Sequence, residues 1–385
     1  MKALHLVKTS IGAAWALRQM RELVKLGVDV HVAIPPGGPL IHDYEAAGIL
    51  IHPIQFDFPI SKPWQSPVVF RSFRNLVSDI RPDIIHSHFV GTTLTMRLAL
   101  GKTHPVPRIF QVPGPLHLEH TFFRKVEILT AGRSDYWVGS CQLTCKRYLQ
   151  SGILQNRLFL SYYGINVEDF QRRQTGKLRK EKNVDTATQL VGMVAYMYPP
   201  KRYLGQTRGI KGHEDFIDAI AICRNSMPNL TGILIGGAWN GALKYEKKIR
   251  SYAQKKCGDH VLFLGTRDDV CSLYPDLDVA VHPSHSENVG GAVESLLFAI
   301  PTIATNVGGV PDLVKHNETG LLVKKKDPAR LAEAIFKALK DPEQLRDMAL
   351  RGQDLAKKLF DVKETAQQVF GIYQDIYSRE KMGIV

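Results

Sequence analysis

The chain has 385 residues, beyond the length at which a single hydrophobic core keeps growing, so two domains are expected. Hydrophobic residues make up 44% and charged residues 23%, close to globular averages, which excludes a disordered or membrane-spanning class. The formal net charge of +13 favours anionic partners, namely diphosphates, anionic lipid or nucleic acid, and the lack of any helix-turn-helix, RNP or zinc-finger pattern makes nucleic acid the weakest of the three, so none is expected.

The opening segment, Met1 to Lys8, is too short for a signal-peptide core and reads as a strand, and no apolar run reaches the roughly 18 to 20 residues that a bilayer requires. A cytoplasmic protein is expected, with peripheral contact to the anionic cytoplasmic face of a membrane left open as an alternative to a freely dissolved one. The five cysteines, Cys141, Cys145, Cys223, Cys257 and Cys271, are scattered and lack zinc spacing, so they read as reduced and mostly buried thiols.

Strands are predicted at 3–7, 28–34, 83–88, 107–112 and 136–139, alternating with helical stretches as βαβ units do. The helix at 13–26 carries Leu17, Met20, Leu23 and Val24 at helical spacing and stops at Gly27, after which the next strand begins at once. Between Gln171 and Thr188 the pattern lapses into polar, basic residues, including Arg172, Arg173, Lys177, Arg179, Lys180 and Lys182; this run reads as a solvated linker. Alternation then restarts with strand 190–197, helix 213–225, strand 231–236, helix 242–256, strands 261–264 and 278–282, helix 291–299 and strand 301–304. Helices follow to the end, and the last, 362–380, is expected to cross back to the first lobe. The expected domains are 1–170, completed by 362–385, and 188–361.

The segment Pro283-Ser284-His285-Ser286-Glu287-Asn288-Val289-Gly290-Gly291-Ala292-Val293-Glu294 lies between an apolar strand and a helix. Glycines at such a turn let the backbone approach a phosphate, and the free N–H groups of a helix start favour its charge. A carboxylate one turn further on can accept hydrogen bonds from a ribose. Taken alone, the glycines also fit a plain tight turn, with Glu294 complementing the helix dipole. The continuation narrows the reading: Pro301-Thr302-Ile303-Ala304-Thr305, Gly308-Gly309 and Asn317-Glu318-Thr319-Gly320 follow, while Lys211-Gly212, Ile235-Gly236-Gly237 and Val261 to Gly265 precede. Together these resemble the C-terminal domain of the family 4 retaining glycosyltransferases, across nearly all of 188–380. In the first half, Gly12 resembles that family's glycine loop, and Asp83-Ile84-Ile85-His86-Ser87-His88 its strand-end histidine motif.

The resemblance implies an α/β protein of the GT-B fold, with two Rossmann-like domains, an interdomain cleft and a C-terminal helix crossing back. It implies transfer of a sugar, with retention, from a nucleotide-diphosphate sugar, UDP- or GDP-linked, to a hydroxyl of a glycan, lipid-linked or small-molecule acceptor. Lys211, Glu287, His88 and His117 would be catalytic, and Gly12, Lys211, Gly265, Thr266, Glu287, Asn288, Val289, Gly290, Gly291 and Glu294 would bind the donor. In this scheme Glu294 holds the ribose, Lys211 neutralises the departing diphosphate, and Gly265 with Thr266 lies near the base. A cation and a helix dipole aimed at the developing charge make a metal or other cofactor unnecessary.

Three departures stand out. Six residues separate Glu287 from Glu294 where the family usually has seven; Tyr196 replaces an arginine; Gln111 replaces a histidine. The insertion 198–210, with Lys201, Arg202 and Arg208, is the candidate source of the missing positive charge. Acceptor docking is expected around Gly12, 56–75 and 113–124, where Phe56, Phe58, Trp64, Phe122 and Phe123 with Arg71, Arg74, Arg124 and Lys125 fit an amphipathic, basic rim near a membrane surface, and where the aromatics fit a buried core at least as well. Rival readings are a GT-B epimerase or phosphorylase and a non-catalytic sugar-nucleotide-binding subunit. A Rossmann dehydrogenase is disfavoured, because no G-x-G-x-x-G follows the first strand.

Overall fold

The computed structural model describes residues 1–59, 61–170, 176–202 and 205–383. The chain divides into two compact units: Met1–Asn166 with Leu359–Val385, and Val167–Lys358.

The first unit is built on a seven-stranded parallel sheet of β1 (Lys2–Leu6), β2 (Asp29–Ile34), β3 (Leu50–Pro53), β4 (Ile84–Ser87), β5 (Arg108–Val112), β6 (Asp135–Gly139) and β7 (Leu158–Leu160). Its order is β3-β2-β1-β4-β5-β6-β7, so the chain walks outward in one direction, returns, and walks outward in the other. Right-handed crossovers therefore put the helices of the two walks on opposite faces. On one face α1 (Ala14–Lys25) and α2 (Ile41–Ala46) bury Leu17, Met20, Leu23 and Tyr44. On the other lie α3 (Ser66–Ile80) and α4 (Val90–Leu100), then α5 (Leu116–Glu119), α6 (Thr121–Leu129) and α7 (Gln142–Gln150).

The second unit begins with α8 (Lys177–Lys182) and holds a six-stranded parallel sheet, β8 (Gln189–Val194), β9 (Leu230–Ile235), β10 (Val261–Gly265), β11 (Val279–His282), β12 (Thr302–Thr305) and β13 (Leu321–Val323), in the order β10-β9-β8-β11-β12-β13. Between these strands run α9 (His213–Arg224), α10 (Leu243–Cys257), α11 (Ala292–Leu297) and α12 (Val310–Leu313), with α13 (Pro328–Lys340) after them. Strands covered on both faces read as near-continuous apolar runs, as Leu190–Met193 and Ile233–Ile235 do.

The unit boundary falls in the last turn of α14 (Pro342–Phe360), after which α15 (Val362–Met382) lies against α1 in the first unit. Asp361 caps α15 by accepting from the Lys363 N–H at 2.8 Å, while the Ile165 N–H donates to Phe360 O and the Val362 N–H to Ile165 O. Val369, Ile372, Tyr373 and Ile376, at helical spacing, enter the core that α1 and β1 share.

Three strands escape the sequence pattern, β3, β7 and β13, and all three are edge strands of three or four residues, too short to show a period. The predicted strand 190–197 ends at Val194 and continues only as an isolated bridge, Met197 with Ala238. The polar run 171–188 is not all linker, since α8 buries Leu178 and lets Asp276 accept from its first N–H groups; Gln171, Arg172 and Arg173 lie outside the described residues. All five cysteines are free thiols, three of them buried. Phe56 is a correction to the expected aromatic rim: it is fully buried and stacked on Phe73, because α3 closes over it. Among the described residues no helix is long and apolar enough to cross a membrane.

Candidate functional site

Open parallel sheets bind ligands beyond the carboxyl ends of their strands, where the loops on either side of a reversal in strand order diverge. In the second unit that reversal lies between β8 and β11, which pair directly. The loop after β8 delivers Lys211 at the start of α9, and the loop after β11 delivers Glu287. Their side chains form an ion pair, both partly shielded from solvent. Burial alone would raise the Glu287 carboxyl. The Lys211 ammonium outweighs it, with the Asn288 N–H at 3.1 Å and the Ser284 hydroxyl at 3.3 Å, and holds Glu287 below the usual carboxylate range.

Two glycines make the approach of these loops possible. At Gly212 φ is +77° and a Cβ would lie 2.1 Å from Pro283 O; at Gly308 φ is +57° and a Cβ would lie 1.5 Å from Glu287 O. Any other residue would be strained there and would push the loops apart. Backbone bonds complete the clamp, from the His285 N–H to Ile210 O at 2.7 Å and from the Gly309 N–H to Asn288 O at 2.7 Å. Between the loops is a small cavity lined by Lys211, His282, Ser284, Glu287, Val289 and Gly291, among others. His282 is kept neutral by burial, its pKa lowered to about 4, and hydrogen-bonds to Ser295 at 3.0 Å.

The remaining second-unit candidates gather around the same sheet edge. Glu294, in the first turn of α11, accepts from the Tyr274 hydroxyl at 3.4 Å. Val289 is buried, Asn288 half-buried and Gly290 exposed. Gly265 ends β10 and accepts from the Gly236 N–H at 2.8 Å; the exposed Thr266 faces Gly237. Arg208 is a correction as one of the insertion's candidate spare cations, because its guanidinium is taken up by Asp215 at 2.5 Å and Asp218 at 2.8 Å, while Lys201 and Arg202 are exposed.

In the first unit, Gly12 sits half-buried in the loop between β1 and α1. His88, just after β4, is fully buried, with Nε2 at 2.9 Å from His5 Nδ1 and Nδ1 at 2.8 Å from the Tyr163 hydroxyl, so both ring nitrogens already face protein partners. His86 bonds to the Tyr373 hydroxyl at 2.6 Å, and the same hydroxyl lies 3.2 Å from His5 Nε2. Sequence reasoning missed His5, Tyr163 and Tyr373. The strand register, which aligns His5 with His86, is the signal that joins the first of them. His5, His86 and His88 are also, among the described residues, the one cluster whose ring nitrogens, within 4.8 Å of one another, are close enough to share a metal ion. His117, on α5, is buried against Tyr148 at 3.1 Å. Gln111 donates to Ser161 O at 2.9 Å, a structural contact between β5 and the segment after β7.

Burial holds these histidines neutral: His5 and His117 are lowered to about 3, and His86 and His88 well below 6.5. A histidine depressed in the folded state stabilises fully above its unfolded pKa of about 6.5, and that contribution is lost as pH falls toward the folded value. We therefore expect the thermal midpoint to hold between pH 7 and 8 and to drop steadily from pH 6.5 to pH 4, with His5→Phe flattening the drop. Differential scanning fluorimetry across pH tests this, and a flat profile from 7 to 4 would refute it.

Residues 202–354 match the family described as glycosyl transferases group 1, and residues 13–169 match the family described as glycosyltransferase family 4. A D-inositol 3-phosphate glycosyltransferase of Acidothermus cellulolyticus is 29% identical over 94% of this chain and 84% of its own length. The N-acetyl-alpha-D-glucosaminyl L-malate synthase of Bacillus anthracis is 32% identical over 126 residues, 32% of this chain and 33% of that enzyme. In structure, Anabaena HepE in complex with UDP-glucose superposes with a TM-score of 0.81 at 22% identity, covering 97% of this chain and 99% of that one. Sucrose-phosphate synthase from Thermosynechococcus elongatus superposes at 0.79 with 19% identity, covering 98% and 100%. At these identities the structural likeness is one of fold.

Proposed function

The chain belongs to the glycosyltransferase group 1 and family 4 enzymes, a retaining family of GT-B fold, and we propose that it moves a hexose from a UDP- or GDP-linked donor to a hydroxyl of a glycan, lipid-linked or small-molecule acceptor. The observation that carries this reading is the Lys211–Glu287 pair at the β8–β11 divergence, with Glu294 one helical turn beyond.

In this reading the donor diphosphate takes Lys211 as its counter-ion, and Glu287 turns to the hydroxyls of the sugar. The bond between the anomeric carbon and the diphosphate oxygen breaks with its electron pair going to the diphosphate. The acceptor oxygen bonds to that carbon on the same face, and the acceptor proton leaves with the diphosphate. Lys211 carries a charge whose value grows as the leaving group becomes more negative, so its effect falls on the transition state. Glu294 accepts from the ribose hydroxyls, Gly290 and Gly291 admit the phosphates, and Gly265 with Thr266 borders the base. His88 and His117, expected from the resemblance to be catalytic, are both buried, and in this reading they act as positioning residues. The first unit takes the acceptor. Trp64 and Phe122 are each 71% exposed, and Arg71, Arg74 and Lys125 are exposed as well, a combination of aromatic and basic side chains suited to an anionic membrane.

The test is release of nucleoside diphosphate from a panel of UDP- and GDP-sugars in the presence of hydroxyl acceptors and EDTA. Activity with at least one donor, undiminished by chelation, is the expected result. No turnover with any donor would overturn the reading, and turnover restored only by added divalent metal would overturn the role given to Lys211.

A further inference from the structure

Pairing between β8 and β9 runs past the ends of both strands. The Ala195 N–H donates to Ile235 O and the Met197 N–H to Gly237 O, each at 2.9 Å, and the Trp239 N–H returns to Met197 O at 3.2 Å. Extended backbone sends alternate side chains to opposite sides. Met197 accordingly enters the core at 1% exposure, and Tyr196 and Tyr198 leave together on the other side. Trp239 joins them, its ring centroid 5.1 Å from that of Tyr196 at an interplanar angle of 61°, and 5.5 Å from that of Tyr198 at 32°.

These rings form a shallow cup, and it is open: Tyr196 is 40% and Trp239 39% exposed. Aromatic area left in water at the ligand-binding end of a sheet carries a cost that a bound ring would remove. The cup stands beyond the carboxyl ends of β8 and β9, at the head of the segment that leads from β8 to Lys211, and the Glu287 charge, after burial, helps push the Tyr198 phenol up to about 12. Tyr198 is therefore a neutral hydroxyl donor at any working pH. A flat base can lie against one ring of such a corner. A puckered pyranose can set its C–H face against two, leaving its hydroxyls to Tyr198 and Glu287.

We propose that Tyr196, Tyr198 and Trp239 form a stacking subsite for the pyranose ring of the donor sugar. This rests on the donor-binding reading above. The test is calorimetric titration of the full chain and of its Trp239→Leu and Tyr196→Leu variants with UDP, UDP-glucose, UDP-galactose, GDP and GDP-mannose, each variant first matched to the parent in thermal midpoint. Against whichever sugar nucleotide binds, each variant should lose about two- to tenfold in affinity, the size of an aromatic contact. Affinity for the matching bare diphosphate should stay within about twofold, a change too small to be a lost aromatic contact. Equal losses for the diphosphate and its sugar conjugate would assign the cup to the base and overturn the proposal, as would unchanged affinity for both. Failure of the parent chain to bind any sugar nucleotide would instead bring down the functional reading, and the subsite with it.

Discussion

Replacing Lys211 with alanine should lower turnover by roughly two to three orders of magnitude, the loss typical of removing one preorganised donor to a developing anion. Donor affinity should change far less, because the lysine's charge is worth most when the diphosphate departs. Glu294→Gln should show the opposite split, weakening donor binding by roughly 1.5 to 3 kcal/mol through loss of a charge-assisted hydrogen bond, with turnover of the bound donor little altered. The lysine variant should carry a second signature. With its counter-ion gone, burial would dominate at Glu287 and raise its carboxyl, so residual activity should fall off at a higher pH than in the parent. Steady-state kinetics on both variants across pH, with circular dichroism to confirm folding, decides the matter. Parent-like kinetics in the Lys211 variant would remove it from the site.

The second large effect concerns the first unit's interior. Arg97 on α4 is fully buried and donates to Asp135 Oδ1 at 3.0 Å and to Glu127 Oε1 at 2.8 Å, while Arg108 reaches Asp135 Oδ2 at 2.6 Å. Glu127 also accepts from Trp137 Nε1 at 2.8 Å. Removing one partner from a buried ion pair strands the other in a low-dielectric interior, at about 3 to 5 kcal/mol. Arg97→Leu should therefore unfold the first unit well below the parent's denaturation midpoint. Trp137 reports on this directly, and its fluorescence in a urea titration gives the shift. Arg97→Leu combined with Glu127→Met should recover much of the loss, since an apolar replacement of the pair leaves less charge unpaired. A midpoint unchanged by the single substitution would mean that water or relaxation serves the carboxylates.

The arginine network also illustrates what lies beyond sequence patterning. Arg97 is the one charge in α4, a helix otherwise uncharged and mostly buried, whereas Arg71 and Arg74 lie on the exposed face of the amphipathic α3; the local sequence thus marks Arg97 as interior, and only the packing of α6 shows that Glu127 is its partner. Tertiary packing likewise places Phe56 against Phe73 and surrounds His88 with His5, Tyr163 and β1.

By itself the sequence determined whatever is contiguous: the periodic apolar face of α1, the alternation of strands and helices, the polar break before β8, and the glycine-bearing turn from Pro283 to Glu294 that carries the family resemblance. These were legible because a strand period, a helix period and a turn are each encoded within a dozen neighbouring residues. Only the tertiary structure decided which distant residues meet. Lys211 and Glu287 stand 76 residues apart, and His86 and Tyr373 stand 287 apart. They meet because crossovers return each strand beside an earlier one, and because α15 comes back to lie on α1. The edge strands β3, β7 and β13 belong to this second class. Each is too short to carry a period, and each exists because a finished sheet offers it a row of unpaired backbone groups to satisfy.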